Sequence, residues 1–171
     1  MPPPPPPEPE SYLDDKGRTR WRRNDQVGEK LKELHDLLVI GGYPPDHAAR
    51  YPKLAYSISR HPECIDDLLA ENRLTEIPGI AKTVAGILSE LILTGDCAKM
   101  REPSEGYLPP PRTVLELTAI SGLGAKTARA LYAECEISSL AELQSALKSG
   151  SLDGFPGLGP KLRERILGTT A

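Results

Sequence analysis

Three short segments share one template. It reads Ile77-Pro78-Gly79-Ile80-Ala81-Lys82, then Ile120-Ser121-Gly122-Leu123-Gly124-Ala125-Lys126, then Phe155-Pro156-Gly157-Leu158-Gly159-Pro160-Lys161. An apolar residue and a Pro or Ser precede Gly, and an apolar residue, a small residue and a nearby Lys follow. The chemistry this spacing offers is anion binding by the main chain. Gly takes a positive φ and admits close approach of another backbone. The helix that follows opens with N–H groups lacking an intrahelical partner, and its dipole adds partial positive charge there. A lysine at a helix start is slightly unfavourable for that dipole, so three such lysines point to an anionic partner such as a phosphodiester. Gly79, Ala81, Lys82, Gly122, Gly124, Lys126, Gly157, Gly159 and Lys161 are therefore the candidate phosphate-binding residues. One such bend is an ordinary tight turn. Three, with glycines 43 and 35 residues apart, form a repeat of supersecondary size. Because phosphate contacts carry no base information, binding is expected to be largely sequence-independent.

The elements that position these bends read as helices. Val27, Leu31, Leu34 and Leu38 form one apolar stripe, ended by Gly41-Gly42-Tyr43-Pro44-Pro45. A second helical stretch covers 46–59 and a short one 65–70. Val84, Ile87, Leu88, Leu91 and Ile92 mark a helix stopped by Gly95. Capping-box spacing at Thr113–Glu116 and Ser139–Glu142 predicts two further helix starts. No alternating run of useful length occurs, so the expected fold is all-α. It comprises two small modules, 25–100 and 113–171, joined by a stiff Pro-rich linker at 101–112. The first 24 residues read as a tail: Pro2–Pro7 is polyproline-II-like or disordered. The following Arg18, Arg20, Trp21, Arg22 and Arg23 either lie on phosphates with the indole stacked, or form a solvated arm whose Trp packs on the folded body.

Composition limits the alternatives. The chain has 171 residues, 39% hydrophobic and 26% charged, with 21 Lys+Arg against 24 Asp+Glu. This fits one domain or two small ones and excludes a wholly disordered chain. A net charge of −3 argues against uniform coating of a polyanion, so any nucleic-acid contact must be local. No apolar run approaches membrane-span length, and prolines stand where a signal peptide has its apolar core; a cytoplasmic location without membrane partners is expected. Cys64, Cys97 and Cys135 form no CxxC pair, and three isolated histidines give no metal-ligand spacing. Neither a disulfide framework nor a zinc site is expected.

The three bends resemble helix-hairpin-helix elements, and their order resembles the N-terminal half of family X DNA polymerases from about Asn24 to Leu167. The stretches Lys53–Pro62, Leu117–Gly124 and Ile137–Leu143 carry that likeness. It implies DNA as partner (duplex, gapped or 5′-phosphorylated), a place in DNA repair, and a repair enzyme as a further partner. It also implies that backbone carbonyls of Thr75, Ile77 and Ile80, and of Thr118, Ile120 and Leu123, hold K+ or Na+, with Asp153, Phe155 and Leu158 as the third set by analogy. No other cofactor is implied. His47, Tyr51 and Lys53 fall where the family surrounds a 5′-phosphate; the alternative is that His47 and Tyr51 only pack. The position matching the family's Schiff-base lysine is Ile87; after the linker the only aspartate is Asp153, and no Asp-x-Asp occurs, so the closely spaced carboxylates of a polymerase metal site are not found. The expected function is therefore non-catalytic DNA binding. The alternatives are an abasic-site (5′-deoxyribose phosphate) lyase working through Lys82, and an accessory or protein-interaction module of such a polymerase.

Overall fold

The computed structural model describes residues 1–4 and 10–170. Of the expected polyproline tail, Pro5–Pro7 with Glu8 and Pro9 lie outside the described residues, and residues 1–4 are exposed without regular structure. Among the described residues the fold is all-α apart from one two-stranded hairpin, and the chain divides into two compact units: residues 1–32 with 51–97, and residues 33–50 with 98–171. Among the described residues no helix is long and apolar enough to cross a membrane.

The first unit begins with β1 (Ser11–Leu13) paired antiparallel to β2 (Thr19–Trp21), where a disordered tail was expected. The physical reason is Asp14. Its carboxylate accepts from the Lys16 and Arg18 amides, both at 2.9 Å, and from the Arg18 and Arg20 guanidinium groups at 3.1 and 3.0 Å. The rest of the basic cluster is also committed. Arg22 lies over the Tyr12 ring, Arg23 pairs with Asp66 at 3.1 Å, and the Trp21 indole donates to the Pro62 carbonyl at 2.8 Å. The cluster is thus part of the body, and its indole is tied to it.

Helix α1 (Arg22–Ile40) starts in the first unit and ends in the second. In the first unit it is followed by α3 (Arg50–Ser59), α4 (Ile65–Ala70) and α5 (Lys82–Thr94), with a 3-10 turn at Leu74–Glu76 before α5. Gly28 on α1 lets the helix lie close to α3: a Cβ there would stand 3.3 Å from the Ala55 carbonyl. Buried Asn24 accepts from the Ile65 amide at 2.7 Å and so caps α4 from a distance. Arg73 binds Glu63, Glu71 and Glu76 at 3.1, 2.9 and 2.8 Å, fastening the turn that leads into the first bend.

The second unit adds α2 (Pro45–Ala48), α6 (Ala98–Arg101), α7 (Leu115–Thr118), α8 (Ala125–Cys135), α9 (Leu140–Ser149) and α10 (Pro160–Leu167). The expected spacer at 101–112 belongs to this body. Tyr107 is 1% exposed, its hydroxyl donates to the Met100 carbonyl at 2.7 Å, and the Leu108 amide donates to the Gly41 carbonyl at 3.0 Å. Only glycine fits at position 41, where a Cβ would stand 2.4 Å from the Tyr107 ring. The Ser139 side chain caps its helix as expected, whereas Thr113 does not. Ser139 Oγ accepts from the Glu142 amide, and Glu142 reaches back to the Ser138 amide at 2.6 Å. Thr113 instead lies in a 3-10 turn, and Glu116 accepts from the Leu140 amide at 2.9 Å, adding a second cap to α9.

The Asp14 cluster has a pH consequence. The Arg18 amide, then the Lys16 amide and the two guanidinium groups, hold the Asp14 carboxyl far below its ordinary value of 3.8, against the opposing effect of burial. Stability from a depressed carboxyl is present above the unfolded value and lost as pH falls through the folded one. Emission from the single tryptophan, Trp21, should therefore hold steady from neutral pH to about 5 and shift to the red only below about 4. Asp14→Ala should give the red-shifted spectrum at neutral pH.

Candidate nucleic-acid interface

Each bend is gripped from inside by the same four apolar positions. They are a residue five before the glycine (Leu74, Leu117, Leu152), one two before (Ile77, Ile120, Phe155), one just after (Ile80, Leu123, Leu158), and one nine after (Leu88, Leu131, Ile166). All are buried except the half-buried Phe155. The sequence template contains the inner two of these positions; the outer two become visible only when all three bends are aligned on their glycines. We call the bends hairpins I, II and III.

The outward face is equally regular. Gly79, Gly122 and Gly157 have φ of +89°, +95° and +86°, the left-handed region that favours glycine. Ala81, Gly124 and Gly159 are the N-caps of α5, α8 and α10, all extended and all exposed. None supplies a side-chain cap, and the first turns of these three helices contain no acidic residue. That is the reverse of what helix stability favours at an N-terminus, and the reverse of α9, which starts with Ser139 and Glu142. Lys82, Lys126 and Lys161 are exposed, and none pairs with a carboxylate among the described residues.

Hairpins II and III are related by a pseudo-twofold arrangement. A Cβ on Gly122 would meet Leu162 on α10 at 3.6 Å, and one on Gly157 would meet Thr127 on α8 at 3.1 Å; Leu162 and Thr127 hold the same place in their repeats. Gln144 on α9 donates to the carbonyls of Ile166 and Thr169 at 2.9 and 2.6 Å, closing the end of α10. Hairpin I has no such partner among the described residues of its unit; a Cβ on its glycine would stand 3.4 Å from Leu54 on α3.

The other expected sites fare differently. Tyr51 is 1% exposed in the first unit, so its ring is a core residue. Lys53 is exposed on the same helix, and His47 belongs to the second unit, its ring edge-on to Tyr43 at 6.1 Å. Among the hairpin carbonyls, Ile77 accepts from the Ile80 amide at 3.1 Å and Ile120 from the Leu123 amide at 3.0 Å, while Thr75 and Thr118 precede these turns. In hairpin III the Leu158 carbonyl is already taken: Arg163 donates to it at 2.8 Å and to Leu152 at 2.5 Å. Ala85 and Ala128 stand at the corresponding positions of hairpins I and II, so this internal cation is particular to hairpin III. Among the described residues no group of three or more His, Cys, Asp or Glu is placed to hold a metal ion.

Residues 114–169 match the family described as SAM-like helix-hairpin-helix tandem. The chain is 40% identical over 52 residues to the Holliday junction branch migration complex subunit RuvA of Bordetella avium, covering 30% of this chain and 27% of that protein. It is 36% identical over 64 residues to the subunit of the same name from Nitrosomonas europaea, covering 36% and 33%. The chain spans about a third of the length of the curated relatives it matches. The family match spans hairpins II and III.

The open N-caps separate stability from anion binding. No atom lies within 4 Å of a Cβ built on Gly124 or Gly159, and Ala81 is exposed, so each position accepts a side chain. Ala81→Asp should stabilise the fold by about 1 kcal/mol by capping α5. Gly124→Asp should change stability by no more than a few tenths of a kcal/mol. Both should weaken binding of a polyanion, read by thermal unfolding and by titration on the same samples.

Proposed function

We propose that the chain is a non-catalytic DNA-binding protein that grips phosphate backbones through the amides and lysines of hairpins I, II and III. The observation that carries this reading is the triple pattern of helix starts without their own cap, without a first-turn acid and beside an unpaired lysine. Hairpins II and III, paired about their pseudo-twofold axis, suit the two strands of a duplex. Hairpin I takes a phosphate separately. Because the contacts are to backbone, sequence preference is weak.

The biological setting is DNA repair or recombination, with the protein located where the DNA is. Similarity to subunits named for Holliday junction branch migration favours branched DNA among the substrates. The likeness of residues 24–167 to family X DNA polymerases favours gapped DNA and a repair enzyme as a further partner. On that reading the first unit holds DNA without cutting it, since half-buried Ile87 stands at the lyase position. Lys82 serves as a phosphate contact and not as an amine nucleophile, and any K+ or Na+ at the hairpin carbonyls of the first two hairpins only assists the grip.

Titration of the full chain against duplex, gapped, 5′-phosphorylated and four-way-junction DNA at several salt concentrations tests this. The slope of log K against log salt should be about −3 to −5, as expected for one or two phosphates per hairpin at about −0.9 each. Lys82→Gln, Lys126→Gln and Lys161→Gln should each make it shallower by about 0.9. No detectable binding at low salt would remove the reading. Borohydride added with abasic DNA should trap no covalent adduct; an adduct lost in Lys82→Gln would convert the first unit into a lyase.

A further inference from the structure

Resting on the DNA-binding reading, we propose that Arg165 is a phosphate ligand of hairpin II, supplied across the pseudo-twofold axis by the helix of hairpin III. Arg165 lies on α10, yet its Nη1 donates to the carbonyl of Ser121 at the bend of hairpin II. The same nitrogen stands 3.0 Å from where a Cβ on Gly122 would be. The side chain is exposed and has no carboxylate partner among the described residues. A guanidinium has five N–H donors in a fixed fork, and only one is engaged with the protein, on a neutral acceptor that leaves its charge uncompensated. It is therefore held, charged and open, beside the glycine of hairpin II. A planar fork in that situation matches phosphate oxygens better than a lysine does.

Its neighbours on the same helix mark the contrast. Arg163 uses its donors on the Leu158 and Leu152 carbonyls and lies 3.9 Å from Asp153, so it closes its own hairpin. The exchange also runs the other way, since Thr127 of α8 brings its hydroxyl against Gly157 of hairpin III. The two bends are thus cross-furnished, and each carries polar groups from the other's helix. Reading the repeat along the chain assigns each bend only its own lysine and misses this cation.

Anisotropy titration of the full chain with a labelled duplex at four salt concentrations, comparing wild type, Arg165→Gln and Arg165→Lys, tests the assignment. Arg165→Gln should make the salt slope shallower by about 0.9, and Arg165→Lys, which keeps the charge, should leave the slope near that of wild type. A folded Arg165→Gln with the wild-type slope overturns the proposal and leaves the DNA-binding reading standing, whereas a wild-type chain that binds nothing removes both. A measurement on the unmutated protein covers the case in which Arg165→Gln does not fold. Modification by phenylglyoxal, read by mass spectrometry, should be suppressed at Arg165 when duplex DNA is bound. Equal modification in the free and bound protein overturns the proposal.

Discussion

Burial of Ile77 and Ile80, of Ile120 and Leu123, and of Leu158 beside the half-buried Phe155 holds each glycine bend from the inside. A fully buried aliphatic side chain of this size contributes about 1.5–3 kcal/mol, so each bend is fixed by several such contacts together with the leucine or isoleucine five before and nine after the glycine. The helix that follows has no freedom to turn its start inward. Its first N–H groups are left at the surface as a consequence of packing beneath them, which is why the surface feature recurs wherever the apolar positions do.

The protein's polar side chains confirm that these openings are not a general shortage of caps. Asn24 caps α4 across the first unit, and α9 is capped by Ser139 and again by Glu116. All four arginines of the N-terminal cluster are tied to acids or aromatic rings: Arg18 and Arg20 to Asp14, Arg23 to Asp66, Arg22 to Tyr12. Lys82, Lys126, Lys161 and Arg165 remain without a carboxylate among the described residues. A chain of net charge −3 can thereby present positive charge at particular places, where the main chain also donates.

The second unit shows what duplication adds. Because Leu162 packs on Gly122 and Thr127 on Gly157, neither hairpin can move without the other. Their spacing is set by one contact made twice, with α9 and its Gln144 anchoring the second copy. Hairpin III has gone further, using Arg163 to bind carbonyls that its counterparts, with alanine at that position, leave to the turn itself. Hairpin I has the same internal grip but uses α3 in place of a twin.

The sequence by itself determined the bends and the helices around them. A glycine at positive φ between apolar residues is a local requirement of backbone sterics, and three copies made the pattern legible. Gly95 as a helix stop and Ser139 as a cap were legible for the same reason, since their partners lie within a turn. What only the tertiary structure decided depends on groups far apart in the chain. Tyr107 filling the space above Gly41 turns an apparent linker into part of a core, and Asp14 collects two arginines and orders an apparent tail. Glu116 leaves its expected local cap for Leu140, Tyr51 is drawn into the interior, and Arg165 crosses to the neighbouring hairpin. Each is a choice among competing partners, and packing of distant segments, which no local pattern encodes, settles which partner is within reach.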